Sequence, residues 1–222
     1  MDALDLSKQR LTSLPENLSP LLKLNVSHNR LTSLPNLPPT LEKLQARHNE
    51  LISLSNLPVA LKILTVSHNN LTSLPNLPST LTNLHACCNA LTSLPKHLPL
   101  TLEKLDVCCN ELASLPDSLP PTLEVLDISC NNLLCLPKLP QSLKILCISR
   151  IELTSLPENL PPTLGKLNVS WNKLSYLPEN LPPTLKALDV SFNNFTSLPE
   201  NMPATLNVLY IPSNKLTSLP EN

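Results

Sequence analysis

The sequence predicts a solenoid of short parallel strands, an elongated stack of near-identical turns. Three observations predict it. Leucine-rich blocks recur at a shift of 20 or 21 residues along all 222 residues. Each block opens with in–out alternation of apolar and polar residues and closes in a proline-punctuated return. The composition holds 25 prolines against one glycine, Gly165, which excludes glycine-based phosphate loops, dinucleotide fingerprints and glycine-capped helices. Self-similarity at a fixed period near 20 residues marks a fold in which each unit buries its apolar side only against its neighbours.

Eleven copies begin at Met1, Leu21, Leu41, Leu61, Leu81, Leu102, Leu123, Leu143, Leu164, Leu185 and Leu206. Each follows L-x-x-L-x-(L/V/I/A)-x-x-N-x-L-T-S-L-P, with one extra residue in the return of the longer copies. The first half is a strand. In the copy from Leu164, Leu167 and Val169 point inward while Lys166, Asn168 and Ser170 point out. The second half cannot be a helix, because its prolines would break every interior turn, so it runs extended or as polyproline II. Strands joined by the same short return form one parallel sheet on the concave side, rising about 4.8 Å per copy and on the order of 50 Å in all. An extended return is scarcely wider than the strand spacing, so the arc is expected to be shallow. Residues 1–222 form one domain without evident caps.

The asparagine of each copy is expected to pair backbone groups buried where the chain turns in after the strand, its amide being both donor and acceptor. This ladder comprises Asn29, Asn49, Asn69, Asn89, Asn110, Asn131, Asn172, Asn193 and Asn214. Gln9 stands in the place in the first copy and Ile151 in "SRIELTSLP", where a local weakness follows.

A formal charge of −1 gives no pull toward nucleic acid or membrane, and no stretch is apolar for long enough to span a bilayer. The opening "MDALDLSKQRL" is not an export signal, and seven cysteines, an odd number, suit a reducing compartment better than a disulfide framework. A cytoplasmic protein is therefore expected. Nothing in the composition calls for a cofactor.

The segments "LPNLPPTLEKL" and "LNVSHNRLTSLPNLPPTLEKLQARHNELISLSNLP" resemble the leucine-rich repeats of bacterial type III secretion effectors, the Yersinia outer-protein M and invasion-plasmid antigen H classes. The resemblance implies a leucine-rich repeat solenoid, secreted by a non-classical route into a host cell, that binds a host protein on its concave sheet. Family members carry an amino-terminal helical hairpin, whereas this chain enters its first strand at once. The ligase members add a catalytic domain with a Cys-x-Asp nucleophile; no cysteine here is followed two residues later by Asp, so no ligase activity carries over. A repeat fragment of a larger effector is a further reading. Uncapped terminal strands would expose pairing edges that invite end-to-end association.

Three residue sets are candidates for chemistry. The first is the cysteines. Cys87 and Cys108 take the seventh place of their copies, and Cys88, Cys109 and Cys130 the eighth, at the rim, continuing a column of His28, His48 and His68. Such a ladder could hold a soft metal through Cys88, Cys109 and Cys130, but neighbours on a strand point apart, so Cys87 and Cys88 reach one ion only if the turn rotates the second. The plainer reading is tolerance of small polar residues multiplied by duplication, with thiols free and no metal bound. Cys135 and Cys147 read as small apolar residues. Second, Asp106 and Asp127, with His85 in the same column and Lys104 and Lys166 beside them, would raise one another's pKa, but an open sheet excludes no water and no enzyme is expected.

Binding is the third and strongest. Trp171 and Phe192 share the rim column in adjacent copies, and Tyr210 projects from the strand face; they are interface anchors or else a cover for the core, whereas Phe195 simply replaces a core leucine. Lys23, His28, Lys43, Arg47, His48 and His68 form a second, basic surface suited to an acidic protein partner, and His85, Asp106 and Asp127 belong to the same expected binding face. Clustered arginine interleaved with stacking aromatics, which nucleic acid would want, is absent.

Overall fold

The computed structural model describes residues 2–16, 18 and 20–218; Met1, where the first copy opens, and the closing residues 219–222 lie outside them. Eleven three-residue strands run β1 (Ala3–Asp5), β2 (Lys23–Asn25), β3 (Lys43–Gln45), β4 (Ile63–Thr65), β5 (Asn83–His85), β6 (Lys104–Asp106), β7 (Val125–Asp127), β8 (Ile145–Cys147), β9 (Lys166–Asn168), β10 (Ala187–Asp189) and β11 (Val208–Tyr210). They form one parallel sheet in sequence order. The leucine-rich repeat solenoid expected from the period is the fold observed.

Register follows from the period. The central leucine of each strand faces the central leucine of the next, as in Leu44 to Leu64 and Leu84 to Leu105. The second pair spans a 21-residue step, so the extra residue is absorbed by the return and the sheet keeps its alignment. The central leucines of β3 to β10 are 0% exposed, and each contributes roughly 1.5–3 kcal/mol by leaving water, an upper figure for a chain that is never fully extended when unfolded. No helix occurs among the described residues; the returns are extended, as the prolines require.

The asparagine ladder is present. Asn110 donates from Nδ2 to the carbonyls of Ala86 (3.0 Å) and Val107 (3.0 Å), and its Oδ1 accepts from the Leu91 amide (3.0 Å). The same pattern recurs at Asn49, Asn69, Asn131 and Asn193. At Ile151 it fails as expected: the amide and carbonyl of Leu133, which would meet the eighth copy, make no hydrogen bond among the described residues. Beside that gap lies a cleft of about 930 Å³, lined by Leu133, Leu136, Ile151, Leu153 and Leu156, with Leu134 89% exposed at its mouth.

A second ladder runs along the returns and was not foreseen. The threonine that ends the return donates from Oγ1 to carbonyls one turn back, as Thr101 does to Ser79 and Leu81 (both 2.8 Å). Thr122, Thr163, Thr184 and Thr205 repeat it. The recurrent threonine was visible in the repeat; its role needed the carbonyls that the prolines leave without a neighbouring N–H.

Ser170 corrects the simple alternation. It is buried, as are Ser27, Ser129 and Ser191, because the fifth residue of the copy folds back on it: Asn168 Oδ1 accepts from both the Ser170 amide (3.0 Å) and its Oγ (2.7 Å). This Asx turn ends the strand.

Candidate functional site

The eighth place of every copy has a left-handed backbone. Lys8, His28, His48, His68, Cys88, Cys109, Cys130, Arg150, Trp171, Phe192 and Ser213 all have φ between 52° and 59°. For residues with a Cβ this region costs of the order of 1 kcal/mol each. The cost is offset because the twist aims each amide at the next copy, as in His48 N to the Ser67 carbonyl (3.0 Å) and Trp171 N to the Ser191 carbonyl (2.9 Å). Its consequence is a continuous column of side chains thrown outward along one rim, on a backbone that cannot swivel.

That column sorts by chemistry. His28, His48 and His68 stack with centroids 4.4 and 4.2 Å apart. Burial between the outer rings, then their like charge and that of Arg47, pushes the pKa of His48 down. Lys23 and Lys43 face each other across β2 and β3 on the sheet. At the other end Trp171 and Phe192 stack at 3.9 Å, and the Arg150 guanidinium lies 4.6 Å over the indole. Trp171 is 46% exposed, Phe192 39% and Tyr210 58%, whereas Phe195 is fully buried, as its core place implied. Arg150 is the residue that sequence reasoning missed; its place in the eighth column beside Trp171 was the available signal.

The carboxylates divide differently. Asp106 and Asp127 occupy neighbouring positions in β6 and β7. The Asp127 carboxyl is raised chiefly by burial, against hydrogen bonds from Ser129, and repulsion by Asp106 adds a smaller upward contribution, in the direction expected. Both close Asx turns, Asp127 Oδ1 accepting from Ser129 N at 3.0 Å and Asp106 Oδ1 from Cys108 N at 3.3 Å. His85 Nδ1 lies 3.7 Å from Asp106 Oδ2. The cross-copy pairs Glu42–Lys62, Glu124–Lys144 and Glu152–Lys173 are exposed and add little.

The cysteines depart furthest from expectation. Free thiols were expected throughout; instead Cys87 and Cys108 are joined in a disulfide, their Cα atoms 4.6 Å apart in adjacent strand extensions. Parallel stacking at one residue per copy supplies that Cα spacing. Nor do Cys87 and Cys88 point apart: the left-handed turn at Cys88 swings its sulfur to 3.3 Å from that of Cys87. The sulfurs of Cys87, Cys108 and Cys109 lie within 4.8 Å of one another. Cys130 continues the rim but follows Ser129, so no paired cysteine accompanies it. Cys147 is half-buried on the sheet beside Asp127, and burial first, then that carboxylate, push its thiol up to about 11. Cys135 is exposed rather than packed in the core, because it takes the serine place of L-T-S-L-P, exposed in the other copies at Ser33, Ser93 and Ser155.

Comparison with known proteins places these features in a family. A family profile described as Leucine Rich repeat matches residues 120–133 and 182–198. No curated protein matches the sequence at a significant level. Among solved structures, YopM from Yersinia enterocolitica WA-314 is 41% identical with a TM-score of 0.94, over 100% of this chain and 48% of that one. The chain thus spans about half the length of that YopM. A Shigella effector LRR domain is 36% identical with a TM-score of 0.61, over 79% of this chain and 71% of that one. FLRT2, in an octameric complex with Latrophilin 3 and Unc5D, shares the fold at 22% identity and a TM-score of 0.78, over 93% of this chain and 80% of that one. No helix among the described residues is long and apolar enough to cross a membrane. At 41% identity to YopM over the whole chain and 36% to the Shigella effector domain over 79% of it, the chain belongs to the leucine-rich repeat family that includes the YopM and Shigella effector repeat domains.

Proposed function

We propose that this chain is a non-catalytic protein-binding module of the effector type, acting on a protein of the host cell. The partner docks across the concave strand face and the adjoining rim. One observation carries the reading: Arg150, Trp171 and Phe192 form a stacked ladder at 4.6 and 3.9 Å, half exposed, on backbone held in one conformation. Aromatic and arginine side chains fixed in this way bury much area at little entropic cost and dominate interface energetics elsewhere. A solenoid presents such groups rigidly, so a partner docks without large rearrangement of the module. The Shigella relative, named as an effector, supports a host-directed role. Tyr210 and the basic end with Lys23, Lys43, Arg47 and the three stacked histidines extend the surface toward an acidic region of the partner.

Affinity capture from host-cell lysate, with wild type and Trp171→Ala plus Phe192→Ala side by side, tests this. A protein retained by wild type and lost by the variant, then confirmed to bind the purified module directly, is the expected result; each aromatic is expected to be worth about 2 kcal/mol of binding. Equal recovery by both proteins would remove the aromatic ladder as the docking site.

A further inference from the structure

The two doubled cysteines sit in adjacent copies, and the left-handed turn at Cys88 and at Cys109 (φ 55° and 52°) brings the second sulfur of each pair round to the side of the first. Three sulfurs therefore collect in one place and a fourth adjoins them through Cys87. Those of Cys87, Cys108 and Cys109 lie mutually within 4.8 Å, and that of Cys88 lies 3.3 Å from Cys87. Cys109 interacts with Cys88 in turn. A tetrahedral zinc ion with Zn–S bonds of about 2.3 Å holds its sulfurs about 3.8 Å apart, comparable to the approach of Cys87, Cys108 and Cys109 to one another and of Cys88 to Cys87. Cys87, Cys88 and Cys108 are half-buried and Cys109 is exposed, so an ion can enter from the rim without opening the core.

We propose that Cys87, Cys88, Cys108 and Cys109 are a redox-gated four-thiolate site for one zinc-class cation, closed by the Cys87–Cys108 disulfide and opened by its reduction. The exchange balances simply. A dithiol reductant supplies two electrons and two protons, the bond between the two sulfurs breaks to give two thiols, and the dithiol leaves as its own disulfide. The cation then displaces the protons of the four thiols and binds four thiolates. The disulfide and the ion are thus alternative cross-links between the same two copies, one for oxidising and one for reducing surroundings. This site differs from the rim column of Cys88, Cys109 and Cys130 considered from sequence. It draws on the seventh place as well as the eighth; the Cys130 thiol neighbours that of Cys109, but Ser129 occupies the seventh place of its copy and supplies no second sulfur.

The experiment uses the whole chain. One sample is reduced with a phosphine, freed of reductant anaerobically, and titrated with Co2+ and then Zn2+; an oxidised sample is treated in parallel. The reduced protein is expected to bind one equivalent, with the visible d–d bands and near-ultraviolet charge transfer of tetrahedral thiolate cobalt, and zinc is expected to bleach them. The oxidised protein is expected to bind none. Cys88→Ser plus Cys109→Ser is expected to abolish the bands, and Cys130→Ser to leave them unchanged. Serine already occupies the eighth place at Ser213 and the seventh at Ser27 and Ser170, so these variants suit the backbone, and circular dichroism checks that they fold. Equal uptake by reduced and oxidised protein overturns the proposal without any variant. So does a cobalt spectrum that survives loss of Cys88 and Cys109, or one that disappears with Cys130.

Discussion

Asn172 Oδ1 accepts two backbone hydrogen bonds from the copy before it, from the amide of Ile151 (3.3 Å) and from that of Leu153 (2.9 Å). Where the preceding copy has its own asparagine, the oxygen accepts only the second of these, as Asn110 does from Leu91 (3.0 Å). The same doubling occurs where Gln9 replaces the asparagine: Asn29 Oδ1 accepts from Gln9 (3.0 Å) and Leu11 (2.9 Å). In both copies the next residue, Arg10 or Glu152, also turns left-handed (φ 58° and 60°). Losing the asparagine reshapes the turn, and the oxygen of the asparagine in the following copy takes up the amide of the ninth residue.

The groups it cannot take up are the amide and carbonyl of Leu133. The Leu133 amide is expected to exchange with solvent faster than that of Leu112, which Asn131 Oδ1 holds at 3.0 Å. Ile151→Asn is expected to slow it by about tenfold, the equivalent of one net hydrogen bond of about 1.4 kcal/mol. Site-resolved amide exchange is the measurement. Equal rates for copies on either side of the cleft would contradict the ladder account.

Asn110→Ala is expected to destabilise the protein by roughly 3 kcal/mol, because it strips buried bonds to Ala86, Val107 and Leu91 and leaves the Leu91 amide without a partner. Alanine at the exposed Asn70 is expected to change stability by less than about 0.5 kcal/mol. Urea denaturation of the two variants makes the comparison, with m-values checked because a repeat array can lose cooperativity.

The histidine stack carries a pH dependence whose sign follows from its direction. The pKa of His48 in the folded chain is depressed below its ordinary 6.5, so the unfolded chain binds more protons in the window beneath that value. The stability due to a neutral His48 is present above pH 6.5 and is lost as pH falls through the depressed folded value. Proton NMR titration is expected to find His48 titrating below 6.5, and to find it moved upward in His28→Gln plus His68→Gln, which removes both the covering rings and their charge.

Thiol labelling should separate two cysteines that look alike in sequence. With its thiol raised to about 11, Cys147 is expected to resist alkylation at pH 8, while the exposed Cys135 reacts. Mass spectrometry of the alkylated, digested protein reads both sites. Labelling of Cys147 at the rate of Cys135 would show that the sheet face does not shield it.

The period of 20 or 21 residues determined the architecture by itself. A leucine recurring at that interval can be buried only by its own copy in the next turn, and proline in every return leaves no other secondary structure to choose. The parallel sheet, its register, the asparagine ladder and the defect at Ile151 all follow from that local arithmetic. What the sequence could not carry was the backbone twist at the eighth place. Alternation assigns a side to each residue of a strand, but it says nothing about a residue in the left-handed region, whose direction depends on hydrogen bonds to the next copy. That one torsion decided that Cys87 and Cys88 converge, and it was tertiary packing that brought Arg150 over Trp171. Folding by period is a property of the chain; the surface it presents is settled only when neighbouring turns constrain one another.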